Sequence, residues 1–200
     1  MRRAWGFFTL LLLIGSGVSP APAHQSAEPV RPWWIGGELG AGDLKLSSDQ
    51  SPGDRNTTFA LGFVGGHTLG SRARLGVEVN GWLLQAFDLS NPAVGESVTN
   101  VMGIADVFPV AKVPFFFRGG AGGAFYTNDR PEGFNGSGWA WTAGGGYDIP
   151  VWKELAVAPM VAWSAGRFGD VRNPLTTETG RRFSVVEFKL DILWHFGRPQ

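Results

Sequence analysis

The sequence of 200 residues contains no cysteine, two tyrosines, three histidines and three methionines. Without cysteine there is no disulfide framework, no thiolate metal ligand and no thiol nucleophile. The histidines His24, His67 and His195 fall in no HExxH pattern and in no paired histidine–carboxylate spacing, so no metal site is expected. A surplus of either charge is missing too. The 17 basic residues balance 17 acidic ones, which leaves no basic surplus for nucleic acid. Long apolar runs are confined to one stretch over about residues 5–18, shorter than a membrane-spanning helix requires. A phosphate-cradling loop is also absent. Gly119-Gly-Ala-Gly-Gly123 is not followed by Lys-Ser or Lys-Thr and lacks a strand-to-helix context, so its glycines read as strand residues that permit close approach or a bend. No cofactor is expected, and no catalytic residue is assigned.

What is present begins with an export signal. Met1-Arg2-Arg3, the apolar run and Ala21-Pro22-Ala23 form the charged, hydrophobic and cleavage regions of a secretory signal peptide over residues 1–23. Removing Arg2 and Arg3 leaves a net charge of about −2. A short proline-containing leader occupies residues 24–32, and residues 197–200 form a C-terminal extension. Between them lie most of the 30 glycines, nine tryptophans and fifteen phenylalanines. Glycine packs poorly, and so many aromatics supply more apolar area than a small soluble core can hide.

Eight strand-like segments are predicted, at residues 33–43, 58–69, 74–86, 98–108, 115–126, 138–149, 155–166 and 183–196, with no convincing amphipathic helix. Long polar connections (44–57, 87–97, 127–137, 167–182) alternate with short ones (70–73, 109–114, 150–154). That order suits a bacterial outer-membrane barrel, with short periplasmic turns and long outward loops. Pro109, Pro114 and Pro150 fit turns and strand ends, where a missing N–H costs little. Pro159 falls inside a strand, and a β-bulge is expected there.

The last segment is the most telling. Phe188, Leu190, Ile192, Trp194 and Phe196 occupy every second position, with Lys189, Asp191, Leu193 and His195 between them. Strand side chains alternate between faces, so one face is bulky and apolar and the other largely charged. The second strand sets Phe59, Leu61 and Phe63 against Ala60, Gly62, Val64 and Gly66. The third sets Leu75, Val77, Val79 and Leu83 against Gly76, Glu78, Asn80 and Trp82. The seventh sets Leu155, Val157, Val161 and Trp163 against Ala156, Ala158, Met160, Ala162 and Ser164. Eight strands enclose only a narrow space, so the bulky face must point outward, to lipid. The fold class predicted is all-β: an eight-stranded antiparallel up-and-down transmembrane β-barrel, spanning residues 33–196.

Two aromatic girdles are expected at the membrane interfaces. Trp33, Trp34, Phe108, Phe115, Tyr147, Trp152, Trp194 and Phe196 lie beside short turns. Phe59, Phe87, Tyr126, Trp139, Trp141, Trp163, Phe168 and Phe183 lie near long loops. The residues expected to form a structural polar network in the lumen are Glu38, Glu78, Asp106, Arg118, Asp148, Glu187, Lys189 and Asp191. Folding the fourth and fifth strands about their turn sets Asp106 opposite Arg118, and an interior ion pair is predicted.

Phe115-Phe-Phe-Arg-Gly-Gly-Ala-Gly-Gly-Ala-Phe-Tyr126, Ala143-Gly-Gly-Gly-Tyr-Asp-Ile149 and the closing aromatic strand resemble segments of the small bacterial outer-membrane barrels that include the OmpA transmembrane domain and the opacity-type porins. The resemblance implies location in the cell outer membrane. It also implies that Trp194 and Phe196, followed here by residues 197–200, act as the C-terminal signal read by the barrel-assembly machinery. Expected partners are that machinery, outer-membrane lipid and lipopolysaccharide, with no nucleic acid and a monomeric state. An OmpA-type wall anchor is not expected. The expected role is structural or surface interaction through the long loops, without enzymatic activity and not as a general diffusion pore. The alternatives are a narrow channel or small hydrophobic-ligand conduit of the OmpW type, and an outer-membrane lipid-modifying enzyme.

Overall fold

Alternation of large apolar with small or polar residues, at the two-residue period of a strand, runs through almost every element of the chain. A computed structural model describes residues 31–83, 96–110, 113–128, 135–172 and 177–198, with only the backbone of Arg172 and Glu178. The expected signal peptide, most of the leader, His24 and Phe87 lie outside these residues.

Among these residues there are eight long strands: β1 (Trp33–Ser47), β2 (Arg55–Leu69), β3 (Ala73–Leu83), β4 (Glu96–Val107), β5 (Phe115–Asn128), β6 (Asn135–Tyr147), β7 (Leu155–Arg172) and β8 (Thr177–Phe196). Ile149–Pro150 is a two-residue continuation of β6 that pairs with β7. Each strand pairs antiparallel with the next, and β8 closes on β1 from Trp33↔Phe196 to Ser47↔Arg182. Closure leaves no edge strand with unpaired backbone groups. The architecture is an eight-stranded, up-and-down antiparallel barrel.

The pleat decides which side chains enter it. On β2, Phe63 is 74% exposed and its neighbour Val64 is 2% exposed. On β8, Phe188, Ile192, Trp194 and Phe196 point outward, while Lys189, Asp191 and Leu193 are buried inside. Leu75, Val77, Val79 and Leu83 of β3 and Val161 and Trp163 of β7 are likewise outward. The outer surface is therefore a continuous apolar belt, far larger than water-soluble proteins leave uncovered.

Three expectations need correction. The strands run further toward the long connections than the sequence pattern shows. β7 and β8 extend to Arg172 and from Thr177, so most of residues 167–182 is a paired hairpin rather than a loop. Its ladder shifts register on either side of Gly169, which has a φ of +70°, as expected where an extra residue is absorbed by a glycine. At Pro159, by contrast, there is no bulge. Pro159 pairs with Leu190 in unbroken register on the β8 side. Toward β6, pairing skips from Gly146↔Met160 to Ile149↔Val157 without changing register. The proline's missing N–H is accommodated by this gap, and Asp148 N–H donates instead to the Pro114 carbonyl at 2.8 Å.

The third correction concerns the girdles. Trp33, Trp139, Trp152, Trp163 and Trp194 are exposed on the outer surface, as are Phe59, Tyr147 and Phe196. Trp34, Tyr126, Phe168 and Phe183 are instead buried in the lumen, and Phe108 packs against the same interior. Each shares the parity of the inward residues of its strand, and that parity outweighs its closeness to a membrane interface. Two glycines make the room. A Cβ on Gly76 would lie 2.8 Å from the Trp34 ring, and one on Gly166 would lie 2.6 Å from the Phe183 ring.

Candidate functional site

The lumen is filled in three layers. At the short-turn end, the Arg74 guanidinium lies 4.9 Å from the centre of the Phe108 ring and 5.4 Å from those of Trp34 and Phe116. Cation–π contact of this kind suits a desolvated arginine. At the long-connection end, Phe168 stacks on Phe183 at 5.2 Å, with Tyr126 5.5 Å from Phe168 and Trp82 5.8 Å from Phe183. The bulged tip of the β7–β8 hairpin carries Phe168 and Val171 inward over the mouth, where both are buried. Arg181 lies over the Tyr126 ring at 4.3 Å, and its Nη2 reaches Glu96 at 2.8 Å and the Tyr126 hydroxyl at 2.9 Å. The Tyr126 hydroxyl also donates to Glu96.

Between these aromatic layers sits the charged one, with Arg118 of β5 at its hub. Its Nε and Nη2 make a two-pronged contact with Asp106 at 2.7 and 3.1 Å, from the strand position directly opposite. The ion pair predicted from the turn is thus present. Its Nη1 reaches Asp191 at 3.0 Å, Glu78 at 3.2 Å and Glu38 at 3.6 Å. Lys189 Nζ lies 2.7 Å from both Glu38 and Glu78. Asn80 donates to Glu78 at 2.6 Å, and the Trp82 indole donates to Glu187 at 2.9 Å. Arg74 extends the network toward the short turns, holding Asp106 at 3.1 Å and the half-buried Asp148 at 2.6 Å.

All eight residues expected in the lumen therefore share one interior. The sequence reading missed Arg74, Asn80 and Trp82 as members of the network. Arg74 has the parity of Glu78, four residues on, and that was the available signal. The two residues expected to form an assembly signal, Trp194 and Phe196, are exposed on the outer surface at the end of β8. The Trp194 indole donates to Glu154 at 3.1 Å.

Chemically this is a locking arrangement. Glu78 is 0% exposed and Lys189 2%, and the network ties β1, β3, β4, β5 and β8 to one another. Paired charges of this kind are costly to break singly. Among the described residues no cluster of histidine, aspartate and glutamate has the arrangement of a metal site, and no hydrogen bond joins His195 to a serine.

No family model matches the chain, and no curated protein matches it. Solved structures do. Neisserial surface protein A shares 14% identity at a TM-score of 0.54, over 82% of this chain and 97% of its own. Ail, the attachment invasion locus protein of Yersinia pestis, shares 11% identity at a TM-score of 0.52, over 82% of this chain and 99% of its own. The fold is that of the small transmembrane barrels. Identity this low carries the architecture across and no residue's role with it.

Proposed function

We propose that this chain is an outer-membrane barrel protein with a structural or surface-interaction role, exerted through the connections at its long-loop end. The observation that carries the reading is the filled interior. An ion-paired layer and an aromatic layer at each mouth leave the barrel wall as a scaffold, so interaction falls to what projects beyond it. The apolar outer belt supports residence in a bilayer. The two barrels of matching fold above are named for the cell surface and for attachment, which supports the same direction.

On this reading export uses the cleaved signal over residues 1–23. Trp194 and Phe196 present the closing strand to the barrel-assembly machinery, and the folded protein is a monomer surrounded by outer-membrane lipid and lipopolysaccharide, without enzymatic activity. Planar-bilayer recording tests it against a narrow channel or hydrophobic-ligand conduit. The purified barrel is expected to give no sustained single-channel steps, and regular steps would favour the conduit. An epitope inserted between Asn128 and Asn135 is expected to be labelled by antibody on intact cells. Labelling only after outer-membrane permeabilisation would overturn the orientation.

A further inference from the structure

At the long-connection end, the outward surface of four adjacent strands carries an unusual charge pattern. Arg167 of β7 lies directly opposite Arg182 of β8, and Lys45 of β1 lies directly opposite Arg55 of β2. Because β8 closes on β1, with Arg182 opposite Ser47 and Ser184 opposite Lys45, the two like-charge pairs form one patch. Arg55, Arg167 and Arg182 are exposed and Lys45 is half-buried. Like charges directly across a strand pair destabilise a sheet.

Nothing within the described residues relieves them. Arg182 Nε donates to the Ser47 hydroxyl at 3.3 Å, and none of the four cations makes an ion pair there. The acidic groups nearby are Asp43, whose carboxylate accepts from the Thr57 hydroxyl at 3.3 Å, and, toward the connections, Asp49, Asp54 and Asp170. A recess of about 380 Å³ lies in the patch, lined by Lys45, Ser47, Pro52, Arg182 and Ser184 among others.

Position decides what would fill it. The patch continues the apolar belt directly: Trp163, Val186 and Phe188 are exposed just below, and the Trp163 indole donates to Ser184 at 3.0 Å. Arg167 lies four residues beyond Trp163 on the tilted strand, a rise of about 13 Å along it. The cations therefore stand where acyl chains give way to headgroups. Among the described residues, the outward positions of the other half of the rim carry no such charge. There the outward residues are Leu83, Ser97, Thr99, Thr127, Ser137 and Trp139.

We propose that Lys45, Arg55, Arg167 and Arg182 form a binding site for the phosphorylated headgroup of an outer-leaflet glycolipid, with its acyl chains lying on the belt below Trp163. This deepens the proposed function, because it rests on the barrel residing in the outer membrane. Arginine matches phosphate oxygens with paired N–H donors, and phosphate placed between like charges turns their repulsion into attraction. Two separate cation pairs suit a headgroup bearing two phosphates better than one bearing a single phosphate.

The test uses the mature chain folded in detergent micelles, with the Lys45→Gln/Arg55→Gln/Arg167→Gln/Arg182→Gln variant and a control, Arg72→Gln/Lys153→Gln, altered at the short-turn end. The probes are rough-type lipopolysaccharide, the same material after phosphatase treatment, phosphatidylglycerol and inorganic phosphate. Wild type and control are expected to bind lipopolysaccharide at least about tenfold more tightly than the dephosphorylated form, given several charge-assisted hydrogen bonds. The quadruple variant is expected to lose that preference. Without lipid, its thermal midpoint should equal or exceed that of wild type, since like-charge pairs have been removed. Equal wild-type affinity for the dephosphorylated lipid would overturn the site, as would phosphatidylglycerol or phosphate competing on equal terms, or a variant that still discriminates. Heat-modifiability on gels separates the failures. A chain that never acquires a heat-shifted band in lipid sinks the membrane-barrel reading, whereas a folded barrel indifferent to phosphate sinks the site alone.

Discussion

Replacing Arg118 by methionine removes the hub of the lumen while keeping most of its volume. The guanidinium touches four carboxylates, at 2.7 Å (Asp106), 3.0 Å (Asp191), 3.2 Å (Glu78) and 3.6 Å (Glu38). At such separations each attraction is on the order of 4 kcal/mol at an effective dielectric of 20, before the cost of desolvating the arginine is subtracted. The substitution leaves Asp106 with Arg74, and Glu38 and Glu78 with Lys189, but Asp191 with no cation within ion-pair distance. Deleting one partner of a buried pair generally costs about 3–5 kcal/mol, and that loss is expected here. Arg118→Lys should recover only part of it, because an ammonium cannot reproduce the two-pronged contact with Asp106. Arg72→Gln, an exposed turn residue, should stay within about 0.5 kcal/mol of wild type. Urea unfolding of the barrel in phosphocholine vesicles, followed by tryptophan fluorescence and by the heat shift on gels, measures all three. A loss below about 1 kcal/mol for Arg118→Met would refute the view that this network locks the staves together.

Two other substitutions probe the wall from its two sides. Val161→Arg places a charge on the outward face opposite Phe188 and should weaken folding into vesicles by about 2–4 kcal/mol, as measured by the same unfolding assay. Gly76→Leu sets a Cβ 2.5 Å from the Gly65 carbonyl and 2.8 Å from the Trp34 ring, so the β2–β3 ladder should loosen and Trp34 should leave the short-turn mouth. With the other tryptophans replaced by phenylalanine, Trp34 fluorescence should then become quenchable by brominated lipid or by iodide, where the native residue is shielded from both.

The barrel was legible because lipid outside and a narrow lumen inside impose opposite demands on alternate residues. Phe188–Ile192 and Phe59–Phe63 display that alternation most clearly. For Trp34, Tyr126, Phe168 and Phe183, nearness to a membrane interface is the wrong guide, because parity sets the face each side chain takes. Phe183 sits four residues from Glu187, and Trp34 four from Glu38, so the face they share was already implied. The extension of β7 and β8 had no comparable signal. Its inner face still packs on the lumen through Phe168 and Val171, but the register shifts around Gly169 break the two-residue period there. Pro159 misled in another way. A missing donor can be absorbed by a gap in one ladder as well as by a bulge, and composition does not distinguish the two.

Because the chain lacks cysteine, single cysteines can report orientation along β8 without background. Spin labels placed one at a time at positions 186–194, in protein folded into lipid vesicles, can be scored for collision with oxygen and with a polar nickel complex. Labels at 186, 188, 192 and 194 are expected to meet oxygen freely and nickel rarely, and those at 187, 189, 191 and 193 to meet neither. A flat profile, or high oxygen access at 189 and 191 with low access at 188 and 192, would contradict a barrel that turns its apolar face to lipid.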